Sequence, residues 1–264
     1  MPLSFLLSYW YMFFACVVIA GIAMAGGIGG ATFLVPFLLL VVKVPVSSAI
    51  AIGIFIEIFG FAAGVYNYRK KKSIDYVLAK KIILSSTLFV ILGVVLNQTL
   101  KPTVVEYVFI FALMVFATQI AFAKDNLSDK AKKYDRVSLV ISAFGGLLLG
   151  LISSGMGESN EYNLFGRLKK QPSIAAGTSV LTVAINALVA TVTQTFFFLQ
   201  KSAFGEIKPY TMLIIYSIIG SFVGAYFGAI IAAKVDREQF RKFISALLYL
   251  VAGASLIKVI FIPG

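Results

Sequence analysis

Three glutamates and two glycine clusters are the residues of this 264-residue chain best placed to do chemistry. Glu57 stands in the middle of an apolar run, IAIGIFIEIFGFAAG (Ile50–Gly64), with no basic residue within a turn. A charged group at membrane depth is costly and usually functional. Two readings are open for it: a protonated or hydrogen-bonded structural glutamate, or a proton-carrying group facing a pathway. Glu158 lies in SGMGES (Ser154–Ser159). It is either a first-turn acid complementing a helix dipole or a coupling acid, neutral with an anion bound and charged without one. Glu161 is three residues on and shares a face with Glu158; Arg167 and Lys169 are alternative partners for it.

The glycine clusters are GGIGGA (Gly26–Ala31) and SGMGES. Each precedes an apolar segment too short to cross a bilayer, Thr32–Val42 and Ser159–Leu168. At about 1.5 Å per residue such a segment reaches roughly 16 Å, half a bilayer. The pattern predicts a helix that enters, breaks and turns back as a half-helix. Half-helix N-termini carry unpaired N–H groups and positive dipole ends, and glycine lets an anion approach them closely. The candidate substrate-binding residues are Gly27, Ile28, Gly29, Gly30, Ala31 and Thr32 in the first break, with Gly155, Met156, Gly157, Ser159 and Asn160 in the second. Thr178 and Ser179 begin the next segment, as oxyanion donors, as a cap or as an interhelical bond. Asn186 and Gln194 lie eight apart on that helix, roughly on one face, and are placed along a pathway. The candidate proton-coupling residues are Glu57, Glu158 and Glu161. The alternative for a membrane glycine is close helix packing, the reading for Gly60, Gly64, Gly220, Gly224 and Gly228.

The elements that must hold these residues are membrane helices. The chain is 60% hydrophobic and 13% charged, with mean hydropathy +0.96, against roughly 45–50% and about 25% in soluble domains. Ten helical segments follow: Phe5–Ala25, Thr32–Val42, Val46–Tyr66, Asp75–Leu96, Thr103–Ala123, Val137–Ser153, Ser159–Leu168, Pro172–Leu199, Pro209–Ala233 and Arg237–Ile262. Tyr9, Trp10 and Tyr11, with Glu106 and Lys258, read as interface anchors. Histidine is absent, which excludes Ser-His hydrolases and HExxH metalloproteases. No Walker A pattern is present. No cofactor and no metal is expected, and Cys16 has no intrachain partner. The first apolar run lacks a basic leader and reads as a retained helix.

A polar linker, Lys124–Arg136, divides the chain into repeat 1 (residues 1–123) and repeat 2 (residues 137–264). Gly27-Ile28-Gly29 matches Gly155-Met156-Gly157 at an offset of 128, and Pro45 with Ala49 matches Pro172 with Ala176 at 127. Phe109-Ile110-x-Ala112-Leu113 matches Phe243-Ile244-x-Ala246-Leu247 at 134, as Tyr76 matches Tyr210. Five segments per repeat is an odd number, so the second copy is expected to be inverted. The expected fold is all-α and polytopic, with four spanning helices plus a short broken half-helix in each inverted repeat. If the Arg69–Lys72 loop is cytoplasmic, alternation puts 18 of the 23 basic residues inside and five outside. That is the positive-inside pattern; the net charge of +12 sets topology, and nucleic acid is not an expected partner. A cytoplasmic-membrane location with both termini outside follows.

GGIGGATFLVPFLLL (Gly26–Leu40) with Pro45 and Ala49 resembles the first signature of the sulfite exporter TauE/SafE family. Gly155-Met156-Gly157, followed by Pro172, Ala176, Gly177, Thr178 and Ser179, resembles the second. The resemblance implies export of a small sulfur-containing anion such as sulfite or a sulfonate across a prokaryotic cytoplasmic membrane. Glu158-Ser159-Asn160-Glu161 replaces further glycines of that pattern and points to anion chemistry that also involves a proton. The expected activity is secondary transport by alternating access, not catalysis. Its partners are a small anion, the lipid bilayer, protons as coupling ion and a second copy in a homodimer. An anion channel, and a cation or proton transporter using the three glutamates, are the alternatives. The topology is checked by C-terminal fusions: alkaline phosphatase is expected to be active and a green fluorescent protein dark, and the reverse pattern would invert the assignment.

Overall fold

The computed structural model describes residues 8–122, 133–200, 204–231 and 237–261. The start of the first expected helix and most of the linker, through residue 132, lie outside the described residues. The described residues form an all-helical bundle. Its helices are α1 (Tyr11–Gly26), α2 (Ala31–Phe37), α3 (Val46–Lys70), α4 (Tyr76–Thr99), α5 (Pro102–Phe122), α6 (Arg136–Ile152), α7 (Met156–Glu161), α8 (Pro172–Gln200), α9 (Thr211–Ile231) and α10 (Arg237–Phe261). Helical turns over Phe204–Tyr210 join α8 to α9.

Local chemistry sets the ends. Pro102 and Pro172 open α5 and α8, where a missing N–H costs nothing. Asp75 caps α4 by accepting the Leu78 N–H at 3.0 Å, and Asp135 caps α6 by accepting the Ser138 N–H at 2.8 Å.

Six helices, α3, α4, α5, α8, α9 with its lead-in turn, and α10, are long and apolar enough to cross a membrane. The sequence reading expected four spanning helices per half; three per half have that length. The fourth, α1 or α6, has 16 or 17 residues, about 24–26 Å of helix against roughly 30 Å of hydrocarbon. Each stops at its glycine break because the chain reverses there. Gly27 (φ 71°) and Gly155 (φ 99°) adopt left-handed backbone, which only glycine takes without strain.

Both half-helices widen into π turns, α2 over Leu38–Val42 and α7 over Tyr162–Arg167. Both end on a left-handed lysine, Lys43 (φ 61°) and Lys169 (φ 55°). Helix α7 also begins three residues before the expected Ser159, because the Glu158 carboxylate folds back onto the Gly155 N–H at 3.1 Å and caps the turn.

The principal packed pairs are α1–α9, α4–α6, α3–α9, α4–α8, α3–α8 and α5–α10. Exchanging α1–α5 for α6–α10 leaves this set unchanged. Two glycine seams hold the closest pairs. Gly220, Gly224 and Gly228 of α9 lie against the carbonyls of Phe13, Val17 and Gly21 of α1. Gly146 and Gly150 of α6 meet the carbonyls of Ser86 and Val90 of α4, and Gly93 of α4 meets that of Leu147. Lipid offers helices no hydrophobic drive to associate, so small residues that bring backbones together supply the contact. Leu84, Leu88, Phe111, Val192 and Phe261 are exposed on the outside, while Glu57, Asn160, Asn186 and Gln194 are buried. The basic loops gather at one end of the bundle: Lys170 pairs with Asp75 at 3.0 Å, Arg167 with Asp135 at 2.9 Å, and Lys71 donates to the Ala229 carbonyl at 3.3 Å. Glu106 and Lys258, expected as separate anchors, pair at 2.8 Å between α5 and α10.

Gly224→Leu drives a side chain into the Val17 carbonyl and is expected to destabilise the bundle by about 1–3 kcal/mol or more. Gly253→Leu, on open space in α10, serves as the control. The check is the thermal midpoint of detergent-solubilised protein, lowered in the first variant and unchanged in the second.

Candidate functional site

The two breaks touch. The position a Cβ would take on Gly157 lies 2.9 Å from the Gly29 nitrogen and 3.3 Å from Ile28 backbone, so no side chain fits there. Around this crossing the chain's own acids take the donors that the sequence reading left open for an anion. The Ala31 N–H donates to Glu57 Oε1 at 3.2 Å. Thr32 Oγ1 donates to Glu158 Oε1 at 2.6 Å and shares a 2.7 Å hydrogen bond with Ser154 Oγ. Glu158 Oε2 holds the Gly155 N–H. Glu161 Oε2 lies 3.1 Å from the Cβ position of Gly27. All three acids therefore meet the first break, although two of them belong to the second. Glu57 and Glu158 are buried, and Glu57 Oε2 has no hydrogen-bond partner among the described residues.

A second polar chain leads away from α7. Asn160 Nδ2 donates to Thr182 Oγ1 at 2.8 Å, which donates to the Ser179 carbonyl at 2.8 Å. Asn186 Nδ2 donates to the Thr182 carbonyl at 2.9 Å, and Asn186 Oδ1 accepts from Thr87 Oγ1 at 3.3 Å. Asn160, Ser159 and Asn186 are thus buried near α7 and α8, and Ser159 packs on Gly145. Thr178 is elsewhere: its hydroxyl accepts the Asp75 N–H at 3.0 Å and anchors the α3–α4 loop. Ser179 Oγ is buried without a partner, and so are both amide atoms of Gln194, two turns beyond Asn186. Ile28 and Met156 are buried in the core.

A cavity of about 410 Å³ lies between α7, its π turn and the ends of α5 and α10. Glu158, Glu161, Arg167, Arg241, Phe165 and Phe240 form part of its wall. It sits at the end where the basic loops gather. Arg167 pairs with Asp135 and not with Glu161, and it also donates to Ser138 Oγ at 3.1 Å and Asn163 Oδ1 at 3.2 Å. The Arg167 guanidinium and the Ser138 donors hold the Asp135 carboxyl well below the ordinary carboxylate value. At Asp75 partial burial works against the charge, but the Leu78 N–H and Lys170 outweigh it and keep that carboxyl low as well. Glu57 lines a separate void of about 20 Å³ between α1, α3 and α9, room for about one water.

Thr182, Asp75 and Asp135 escaped the sequence reading, and Ser154 stood in the SGMGES break without a role. An Asp just before an apolar helical run is an N-cap signal that could have found the two aspartates. Nothing local marks Thr182.

Six membrane-length apolar helices make this a polytopic membrane protein. A family model, Sulfite exporter TauE/SafE, matches residues 12–255, nearly the whole chain, and the chain belongs to that family. It is a family of membrane transporters and permeases. No curated protein and no solved structure matches the chain.

Thr32→Val keeps the shape but leaves Glu158 and Ser154 short of a buried partner, at a cost of about 1–3 kcal/mol. A lowered thermal midpoint, restored by Thr32→Ser, is expected; an unchanged midpoint would show that the hydroxyl bridges nothing.

Proposed function

We propose that this protein is a secondary transporter that exports a small sulfur-containing anion, sulfite or a sulfonate, across the cytoplasmic membrane. The observation that carries this reading is the contact of two broken helices, Gly29 against Gly157. Broken helices at matching places in two halves are the best pointer to a transport site. The exchange of α1–α5 for α6–α10 that preserves the packing, and the matching left-handed residues at 27 and 155 and at 43 and 169, support two inverted repeats. Alternating access would then rock these halves around the crossing.

The donors at the crossing, Ala31 N–H, Thr32 O–H and Gly155 N–H, are those that recognise an oxyanion. Each is held by a carboxylate oxygen, and a carboxylate is itself an oxyanion. The cavity beside Arg167 and Arg241 supplies a vestibule at the basic, cytoplasmic end. Proton coupling through one of the buried glutamates follows from the same arrangement. Convergence of three carboxyls on the first break favours a cation or proton carrier as the second reading.

Proteoliposomes loaded with sulfite or an alkyl sulfonate are expected to release it at carrier rates, faster with the loading side acid. Gly157→Leu is expected to abolish release. Channel-sized currents, or proton or sodium flux with no anion movement, would overturn the reading.

A further inference from the structure

Glu57 and Glu158 both hold donors of the crossing, but they differ in what they can reach. Glu158 forms part of the wall of the 410 Å³ cavity, and it occupies the Thr32 hydroxyl at 2.6 Å and the Gly155 N–H at 3.1 Å. Glu57 is absent from that wall. It faces the separate water-sized void, and it holds the Ala31 N–H at 3.2 Å. An anion entering from the cavity therefore meets Glu158 first and needs the two donors Glu158 already has.

We infer that Glu158 is a tethered stand-in for the transported anion: the anion takes the Thr32 and Gly155 donors, the displaced carboxylate takes up a proton from bulk solution by way of the cavity, and one anion loads with one proton. Glu57 is a positioning residue that holds the N-terminus of α2 and takes no part in loading. The inference rests on the transport reading above and deepens it.

Two negative charges cannot share one hydroxyl and one N–H in a buried site, because like charges repel strongly at low effective dielectric. Protonation of the displaced group removes that repulsion, and the proton comes by way of the cavity. Among the described residues the ionisable groups around Glu158 are Glu57 on α3, Glu161 on α7, Tyr162 and Arg167 on the π turn, and Arg241 on α10. The two acids favour the protonated form. The two arginines oppose it, and the charge of Arg167 is already matched by Asp135. On the cavity's other walls α5 presents the uncharged Gln119, Ile120 and Phe122, and α1 presents Gly26. Helices α6 and α8 meet α7 through Gly145, Leu148 and Thr182, which carry no charge.

The test uses the purified full-length chain in lipid nanodiscs and an alkyl sulfonate, whose own charge does not titrate between pH 5 and pH 8. Sulfonate affinity is expected to weaken about tenfold per pH unit where Glu158 is ionised, by proton linkage. Glu158→Gln flattens that slope, Glu158→Asp keeps it and Glu57→Gln keeps it. In weakly buffered solution the unaltered chain is expected to take up about one proton per sulfonate bound, a readout that needs no variant to fold. No pH slope and no proton uptake in the unaltered chain, a slope that survives Glu158→Gln, or one that disappears in Glu57→Gln overturns this inference and leaves anion transport standing. No sulfonate binding at any pH overturns both.

Discussion

Non-helical backbone in the middle of a bilayer has N–H groups that neither lipid nor a helix can satisfy. Here two non-helical stretches, at Gly27–Gly30 and Ser153–Gly155, are set against each other inside the bundle, and buried carboxylates from α3 and α7 take donors there. The approach of Gly157 to the Gly29 backbone leaves no room for a side chain at 157, and a Cβ at Gly29 would meet the Glu57 carboxyl. Much of the bundle follows from it. Helices α1 and α6 must end at the crossing, and α2 and α7 must restart there and return to the side they came from. The residues after each break must also accept a widened π turn.

The surrounding helices are held by geometry more than by chemistry. Backbone-to-backbone glycine seams join α1 to α9 and α4 to α6, and the longer helices α3 and α8 pack between these pairs. Three ion pairs between helices lie near the ends: Asp75–Lys170 and Asp135–Arg167 among the basic loops, Glu106–Lys258 toward the other end. Those pairs are partly exposed and contribute modestly to stability. Their effect is to fix which loop lies beside which. The Arg167 guanidinium, for example, is held at the mouth of the cavity by a capping aspartate from another helix.

The buried acids give the crossing a character that a purely glycine-lined cradle would lack. Glu158 bridges its own break and the first one, through Gly155 and Thr32. Glu57 serves the first break alone. Charge at the centre is thus shared between the halves, and any rocking of one against the other must change these hydrogen bonds.

Much of the fold was legible in the sequence, because it depends on local quantities. Apolar length gave the long helices, and most ends fall within a few residues of those observed. Glycine clusters before short apolar runs gave both breaks. The features it left open depend on contact. The sequence reading counted α1 and α6 among the spanning helices, and their described lengths are 16 and 17 residues. It left Thr178 as an oxyanion donor, a cap or an interhelical bond, and its hydroxyl accepts the Asp75 N–H. It left Glu158 as a first-turn acid or a coupling acid, and did not place the Thr32 hydroxyl on it. Periodicity and composition report which solvent a residue prefers. They carry no information on a hydroxyl and a carboxylate 126 positions apart, as Thr32 and Glu158 are. The sequence by itself determined the membrane helices, the breaks and the supply of buried acids. Only the tertiary structure decided which acid holds which donor, because hydrogen bonding is directional and short-ranged, and its partners are chosen by packing.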